Sequence, residues 1–191
     1  INDGDGLEIA DLNQDGRMDV VIAESTLGKV AWYEQGKNLD SWIRHEITEG
    51  YTKIEGLDVL DANGDGIFEV IILEQTEGKV VITAPGDGNP SGNWVEETLD
   101  ADAKYVQCSL ESDVDEDGDT DLFYAYEGKK EGEGGFYWLE FLGGKVLDEK
   151  SWQKHVISQI QGGWWIAQHR IDANKDGIES ELVVTARNLR N

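Results

Sequence analysis

Four stretches of this chain carry the same order of side chains, and the rest of the sequence is spaced around them. The first holds Asp11, Asn13, Asp15, Gly16 and Asp19, and the second Asp61, Asn63, Asp65, Gly66 and Glu69. The third holds Asp113, Asp115, Asp117, Gly118 and Asp121, and the fourth Asp172, Asn174, Asp176, Gly177 and Glu181. Oxygen-bearing groups thus stand at positions 1, 3 and 5, a glycine at 6 and a carboxylate at the end. Calcium takes about six to eight hard oxygens, and alternate residues of a tight turn can aim theirs inward. The glycine permits the sharp bend. The backbone carbonyl of the seventh residue (Arg17, Ile67, Asp119 or Ile178) is expected to complete each cage. Asp, Asn and Gly are also ordinary turn residues, but the repetition of alternate oxygens favours Ca²⁺ loops, up to four of them. The fourth copy has one extra residue, so Glu181 rather than Ser180 must supply its late carboxylate.

An EF-hand shares the first half of this pattern but needs a glutamate at position 12 and flanking helices. Position 12 here is Ile22, Ile72, Tyr124 and Val183, each inside a run of strand-formers. The loops therefore sit between strands. Around them four segments recur. A first segment precedes each loop: Leu7–Ala10, Leu57–Leu60, Ser109–Ser112 and Gln168–Ile171. A second follows it: Asp19–Ala23, Glu69–Leu73, Asp121–Ala125 and Glu181–Thr185. These second segments are near-continuous β-branched and aromatic runs, the pattern of strands buried on both faces. A third follows a glycine turn (Val30–Glu34, Val80–Ala84, Phe136–Glu140). A fourth opens on tryptophan at Trp42, Trp94 and Trp152, with His45, Glu97 and His155 three residues on. Four strands per repeat of this length, with nothing helical, is the pattern of a β-propeller blade.

These residues resemble the FG-GAP/VCBS repeat family of calcium-loop propellers, represented in integrin α-chains and many bacterial secreted proteins. The resemblance implies an all-β propeller of four-stranded antiparallel blades with the calcium loops between first and second strands. It departs from the family in lacking a literal Phe-Gly…Gly-Ala-Pro; the nearest approach is Ala84-Pro85-Gly86. Strand arithmetic gives three complete blades, at about 1–49, 50–100 and 101–158, and the inner half of a fourth at 159–191. A closed four-bladed ring usually completes its last blade from the other terminus, and no spare strand stands there. The expectation is a single propeller domain or segment that belongs to a larger propeller or associates with copies of itself, covering exposed strand edges.

Composition narrows the partners. The formal charge is -24, from 40 acids against 16 bases, which disfavours nucleic acid or an anionic membrane surface. No apolar run approaches a membrane span, so membrane insertion is not expected. With 39% hydrophobic residues the chain can build a core. The one cysteine, Cys108, permits no internal disulfide and is expected as a small buried hydrophobe. An extracellular or cell-surface location rests on the calcium argument, because weak calcium loops fill in the millimolar calcium outside cells.

His45 and His155 share one repeated slot and are expected in packing or hydrogen bonding between blades. Trp42, Trp94 and Trp152 are expected in the inter-blade core. The fourth unit departs from its siblings at Trp164, Trp165, Gln168, His169 and Arg170, where polar residues replace Leu57 and Val59. Innermost strands of a propeller line its channel, so these five are candidate ligand-binding residues, with paired tryptophans suited to stacking on a sugar. The alternative is a tryptophan cap on the core, with Arg170 paired to an acid such as Glu111. No nucleophile constellation or zinc-type cluster stands out. The expected function is a non-catalytic calcium-stabilised module for adhesion, self-assembly (a fibre subunit included) or glycan binding. The rival is part of a carbohydrate-active propeller enzyme of polysaccharide lyase or sugar dehydratase type.

Overall fold

The computed structural model describes residues 6–128 and 134–159, together with the backbone of two short strands at 163–166 and 184–186. The first sheet runs β1 (Leu7–Ala10), β2 (Asp19–Glu24), β3 (Lys29–Gln35) and β4 (Trp42–Glu49). The second runs β5 (Ile54–Leu60), β6 (Glu69–Glu74), β7 (Lys79–Pro85) and β8 (Trp94–Asp100). The third runs β9 (Val106–Ser112), β10 (Asp121–Tyr126), β11 (Gly135–Phe141) and β12 (Trp152–Ser158). Each is an antiparallel meander with strands in chain order. β13 (Gly163–Ile166) pairs with β14 (Val184–Ala186) as a separate two-stranded ribbon. Helix is confined to single 3₁₀ turns at Ser25–Leu27 and Glu149–Ser151 among the described residues. The protein is all-β and blade-like.

The three sheets are built to one plan. In each, the pairing of third and fourth strands slips at the same place, between Val30 and Ala31, Val80 and Val81, and Phe136 and Tyr137. Such a bulge increases local twist. The first strands of successive sheets stand side by side, β1 by β5, β5 by β9 and β9 by β13. Gly28 and Gly78, both left-handed, close the second-to-third-strand turns in the first two sheets. A Cβ at Gly28 would meet the Tyr51 carbonyl at 2.1 Å, and one at Gly78 would meet the Lys104 backbone. Each turn is thus pressed against the link into the next sheet, and only glycine fits.

Burial follows from stacking. Val21, Ala23, Val30 and Trp32 of the first sheet meet Leu57, Val70, Ile72 and Val81 of the second. The other face of the second sheet, with Ile71, Leu73, Val80 and Ile82, meets Leu122, Tyr124, Tyr137 and Phe141 of the third. β6 and β10 are consequently buried along their whole length, as their apolar runs lead one to expect. β2 alternates buried and half-buried, because the opposite face of the first sheet has no neighbouring sheet among the described residues.

The same absence corrects one expectation. Trp152 is buried against Phe141, and Trp94 packs on the core between the first two sheets, but Trp42 is 41% exposed. The signature tryptophan faces the preceding sheet, and none stands on that side of the first sheet among the described residues. Cys108 is half-buried beside a smaller cluster around Phe123 and Phe136, not fully buried as expected.

The Asp100 carboxylate is buried between the second and third sheets. Lys154 Nζ reaches Asp100 Oδ2 at 2.6 Å and lies 4.5 Å from the Tyr137 ring centre, with Tyr126 and Tyr124 at 5.3 and 5.7 Å. Tyr124 donates its hydroxyl to the same carboxylate oxygen at 2.6 Å. Asp100 is 8% exposed, so removing the ammonium leaves a buried charge with two neutral donors, the Tyr124 hydroxyl and the Asp102 N–H. Lys154→Ala is expected to cost about 2 kcal/mol, lost ion pair and cation–π contact together. In thermal denaturation that is a fall of about 4–8 °C.

Candidate metal loops

Each corner between first and second strand closes by the same side-chain-to-backbone bonds. In the first loop Asp11 accepts from the N–H groups of Asp15 (3.0 Å) and Gly16 (2.8 Å), and Asp15 accepts from Arg17 N–H at 3.0 Å. In the second, Asp61 accepts from Asp65 (3.0 Å) and Gly66 (2.8 Å), and Asp65 from Ile67 (2.7 Å). In the third, Asp113 accepts from Gly118 at 3.1 Å and Asp117 from Asp119 at 3.0 Å. Two backbone positions in every loop are left-handed. Position 6 is Gly16, Gly66 and Gly118, and position 4 is Gln14, Gly64 and Glu116. Nothing lies within 4 Å of a Cβ built at Gly16 or Gly118, so glycine there answers backbone conformation, not crowding. The need at position 4 has no sequence signal, since Gln and Glu meet it as well as Gly.

The late carboxylates do something the sequence alone does not disclose. Asp19, Glu69 and Asp121 are essentially fully buried beneath their loops. Asp121 accepts from Val114 N–H at 3.0 Å, inside its loop, and from Phe141 N–H at 2.9 Å, at the end of β11. Asp19 accepts from Gln35 N–H, the equivalent end of β3, at 2.8 Å. The matching residue of the second sheet is Pro85, which has no N–H to give. There the acid is the longer Glu69, which accepts from Ala62 N–H at 2.9 Å. The one glutamate among the three described late positions thus accompanies the one proline.

These acids are poorly placed as bare anions. Burial raises the pKa of Asp19, with the charges of Asp15 and Asp11 adding to it against the two backbone donors. Glu69 is pushed up to about 8 by burial, then by Asp61 and Asp65. Asp121 is raised by burial, with Asp115 adding. Asp115 is raised by lost hydration, then by Asp117 and Glu140, and Asp119 by lost hydration, then by Asp117 and Asp113. Carboxylate oxygens of Asp113, Asp115 and Asp117 lie within 4.8 Å of one another. Asp19 Oδ2 and Asp113 Oδ1 are buried with no hydrogen-bond donor. Asn13 and Asn63 add amide oxygens at position 3, each accepting an N–H of the loop. An all-oxygen donor set with two orphaned buried carboxylate oxygens fits a hard divalent cation. The fourth loop, with Asp172, Asn174, Asp176, Ile178 and Glu181, lies outside the described residues.

Residues 11–72 match the FG-GAP-like repeat family. That stretch holds the first two loops, strands β2 to β5 and the start of β6. No curated protein matches the sequence.

His45 stacks on Trp32 with ring centres 4.4 Å apart and pairs with Glu34 Oε2 at 2.9 Å. His155 repeats this on Trp138 at 4.4 Å and on Glu140 Oε2 at 2.5 Å. Both contacts lie within one sheet, so the expectation of histidines bridging blades is corrected. The bridge is made by tryptophan instead, with the indole N–H groups of Trp32 and Trp94 both donating to the Pro90 carbonyl, at 3.2 and 2.9 Å. Trp164 and Trp165 fall on β13, where Trp165 stands opposite Thr185. Gln168, His169 and Arg170 lie outside the described residues.

The adjoining inner strands carry an acidic line: Glu8 on β1, Asp58 on β5 and Glu111 on β9. Asp58 accepts a hydrogen bond from Ser109 across the sheet boundary. Burial, with Glu111 and Glu8 adding, pushes its pKa from 3.8 up to about 7. A folded-state pKa above the unfolded one favours the protonated form, so Asp58 costs nothing below about pH 4 and progressively more as pH rises towards 7. Asp58→Asn should therefore raise stability at pH 8 by about 1–3 kcal/mol and leave it nearly unchanged at pH 4. Chemical denaturation at the two pH values checks this.

Proposed function

We propose that the chain is a calcium-stabilised β-propeller segment, a non-catalytic module for adhesion, self-assembly or glycan binding outside the cell. The observation that carries the calcium part is the pair of donorless buried oxygens, Asp19 Oδ2 and Asp113 Oδ1, inside loops that repeat the same bonding. The FG-GAP-like match at residues 11–72 supports the module part, since repeats of this kind suggest propeller-type modules, often adhesive. Asp11, Asn13, Asp15 and Asp19 would hold one ion, with the Arg17 carbonyl. Asp61, Asn63, Asp65 and Glu69 would hold the next, with the Ile67 carbonyl. Asp113, Asp115, Asp117 and Asp121 would hold a third, with the Asp119 carbonyl. The ion's part is to neutralise carboxylates that the fold forces together. The chain's own part is to fix the corner between first and second strand and to tie it to the third.

The partner reading rests on the open face of the first sheet. Leu7 and Ile9 are 56% and 61% exposed, whereas their counterparts Leu57 and Val59 pack on the core between the first and second sheets. Outward from them, Arg44 pairs with Glu24 at 2.6 Å and Tyr33 donates to it at 2.9 Å. An apolar strip with a polar rim is the form of a contact surface. Another blade-like sheet, from a second copy or the remainder of a larger propeller, would cover it as the second sheet covers the first.

Thermal melts in millimolar calcium and in EDTA test the calcium reading. A site held at a hundredfold above its Kd adds about 2.7 kcal/mol to stability. Losing several such sites should lower Tm by about 10 °C or more. A melt unchanged by EDTA overturns the reading.

A further inference from the structure

We infer that Glu34, held by His45, is a positioning residue that braces the first loop and raises its affinity for the cation. The inference rests on the calcium reading above and goes beyond it in assigning a role to residues outside the loops.

Glu34 is shared between two groups. Its Oε2 meets His45 Nε2 at 2.9 Å, and its Oε1 accepts from Asn13 Nδ2 at 3.3 Å. Asn13 is the position-3 residue of the first loop. With its amide N–H₂ drawn outward to Glu34, its carbonyl oxygen stays turned to the loop, where it accepts Asp15 N–H at 3.2 Å. His45 is in turn fixed by its stack on Trp32, with rings inclined by only 16°. The order is therefore tryptophan, histidine, glutamate, loop. In the third sheet Trp138, His155 and Glu140 repeat the first three members, with rings inclined by 22°, but position 3 there is the acid Asp115, whose side chain has no N–H to give Glu140.

The second sheet is an internal control. Ile82, Glu97 and Ala84 occupy the three slots, so it has neither stack nor brace. There Asn63 turns its Nδ2 into the loop instead and donates to Asp65 Oδ2 at 3.0 Å. In the first loop the matching oxygen, Asp15 Oδ2, is met by the Arg17 guanidinium, so the two loops differ in which group engages the position-5 acid. Groups that orient metal ligands from behind typically change affinity about 10–100-fold when removed.

The test is calcium titration of the full chain by calorimetry, with terbium luminescence excited through tryptophan as a second readout. The indole of Trp32 adjoins the brace of the first loop, and the second sheet has Ile82 in that slot. Glu34→Ala is expected to weaken one site about tenfold, whereas Glu140→Ala, which has no amide to orient, is expected to stay within about twofold of the parent. Glu34→Ala should also cut the tryptophan-sensitised terbium signal at low ion concentration. His45→Phe, which keeps a ring on Trp32 but removes the nitrogen, should shift affinity in the same direction as Glu34→Ala. Melting in EDTA should barely change for His45→Phe, which separates positioning from bulk stability. An affinity within twofold of the parent in Glu34→Ala overturns the inference while leaving the calcium reading intact. A Tm lowered equally in calcium and in EDTA, with unchanged affinity, overturns it likewise. A parent chain that takes up no calcium overturns both.

Discussion

Three carboxylates buried under three turns organise this molecule. Asp19, Glu69 and Asp121 sit with almost no contact to water, each accepting backbone N–H groups at the corner between first and second strands. An acid in that position is costly unless donors or a cation meet its charge. The protein supplies some donors from the loop and, in two sheets of three, one from the end of the third strand. It also crowds further acids above each buried one. The arrangement is strained for a bare anion cluster and natural for an ion cage, and the calcium reading grows from that contrast.

The sheets themselves need less explanation. Apolar second strands are flanked on both sides wherever a sheet has two neighbours, so β6 and β10 are buried throughout while β2 is not. Sheet-on-sheet burial supplies the main driving force. The loops set the geometry at one end of each sheet, and the glycine turns at Gly28 and Gly78 set it at the other. Polar groups caught between sheets are satisfied: Asp100 has both Lys154 and Tyr124. Asp58 has Ser109 but stands near other acids, and its raised pKa marks the least favourable place on the inner strands.

Much of this was legible in the sequence. The repeated oxygen pattern located the three described loops, the apolar runs located the second strands, and the glycine turns and the tryptophan signature located the third and fourth strands of the three sheets, because all of these are local signals. What was not legible depends on neighbours distant in sequence. Trp42 carries the same signature as Trp152, yet it is exposed because its side of the first sheet has no neighbouring sheet among the described residues. His45 reads as an inter-blade residue until its partners, Trp32 and Glu34, turn out to share its own sheet. The exchange of Asp for Glu at position 69 looks like a conservative variation, and only the pairing of β7 shows Pro85 in the donor's place.

The central claim is that the repeated corners hold divalent ions as part of the folded state. Counting ions is the most direct measurement: native mass spectrometry of the chain exchanged from millimolar calcium, compared with the same chain unfolded. The account predicts at least three calcium ions on the folded chain, one for each described loop, and none on the unfolded one. A folded chain that carries no calcium under those conditions would contradict it.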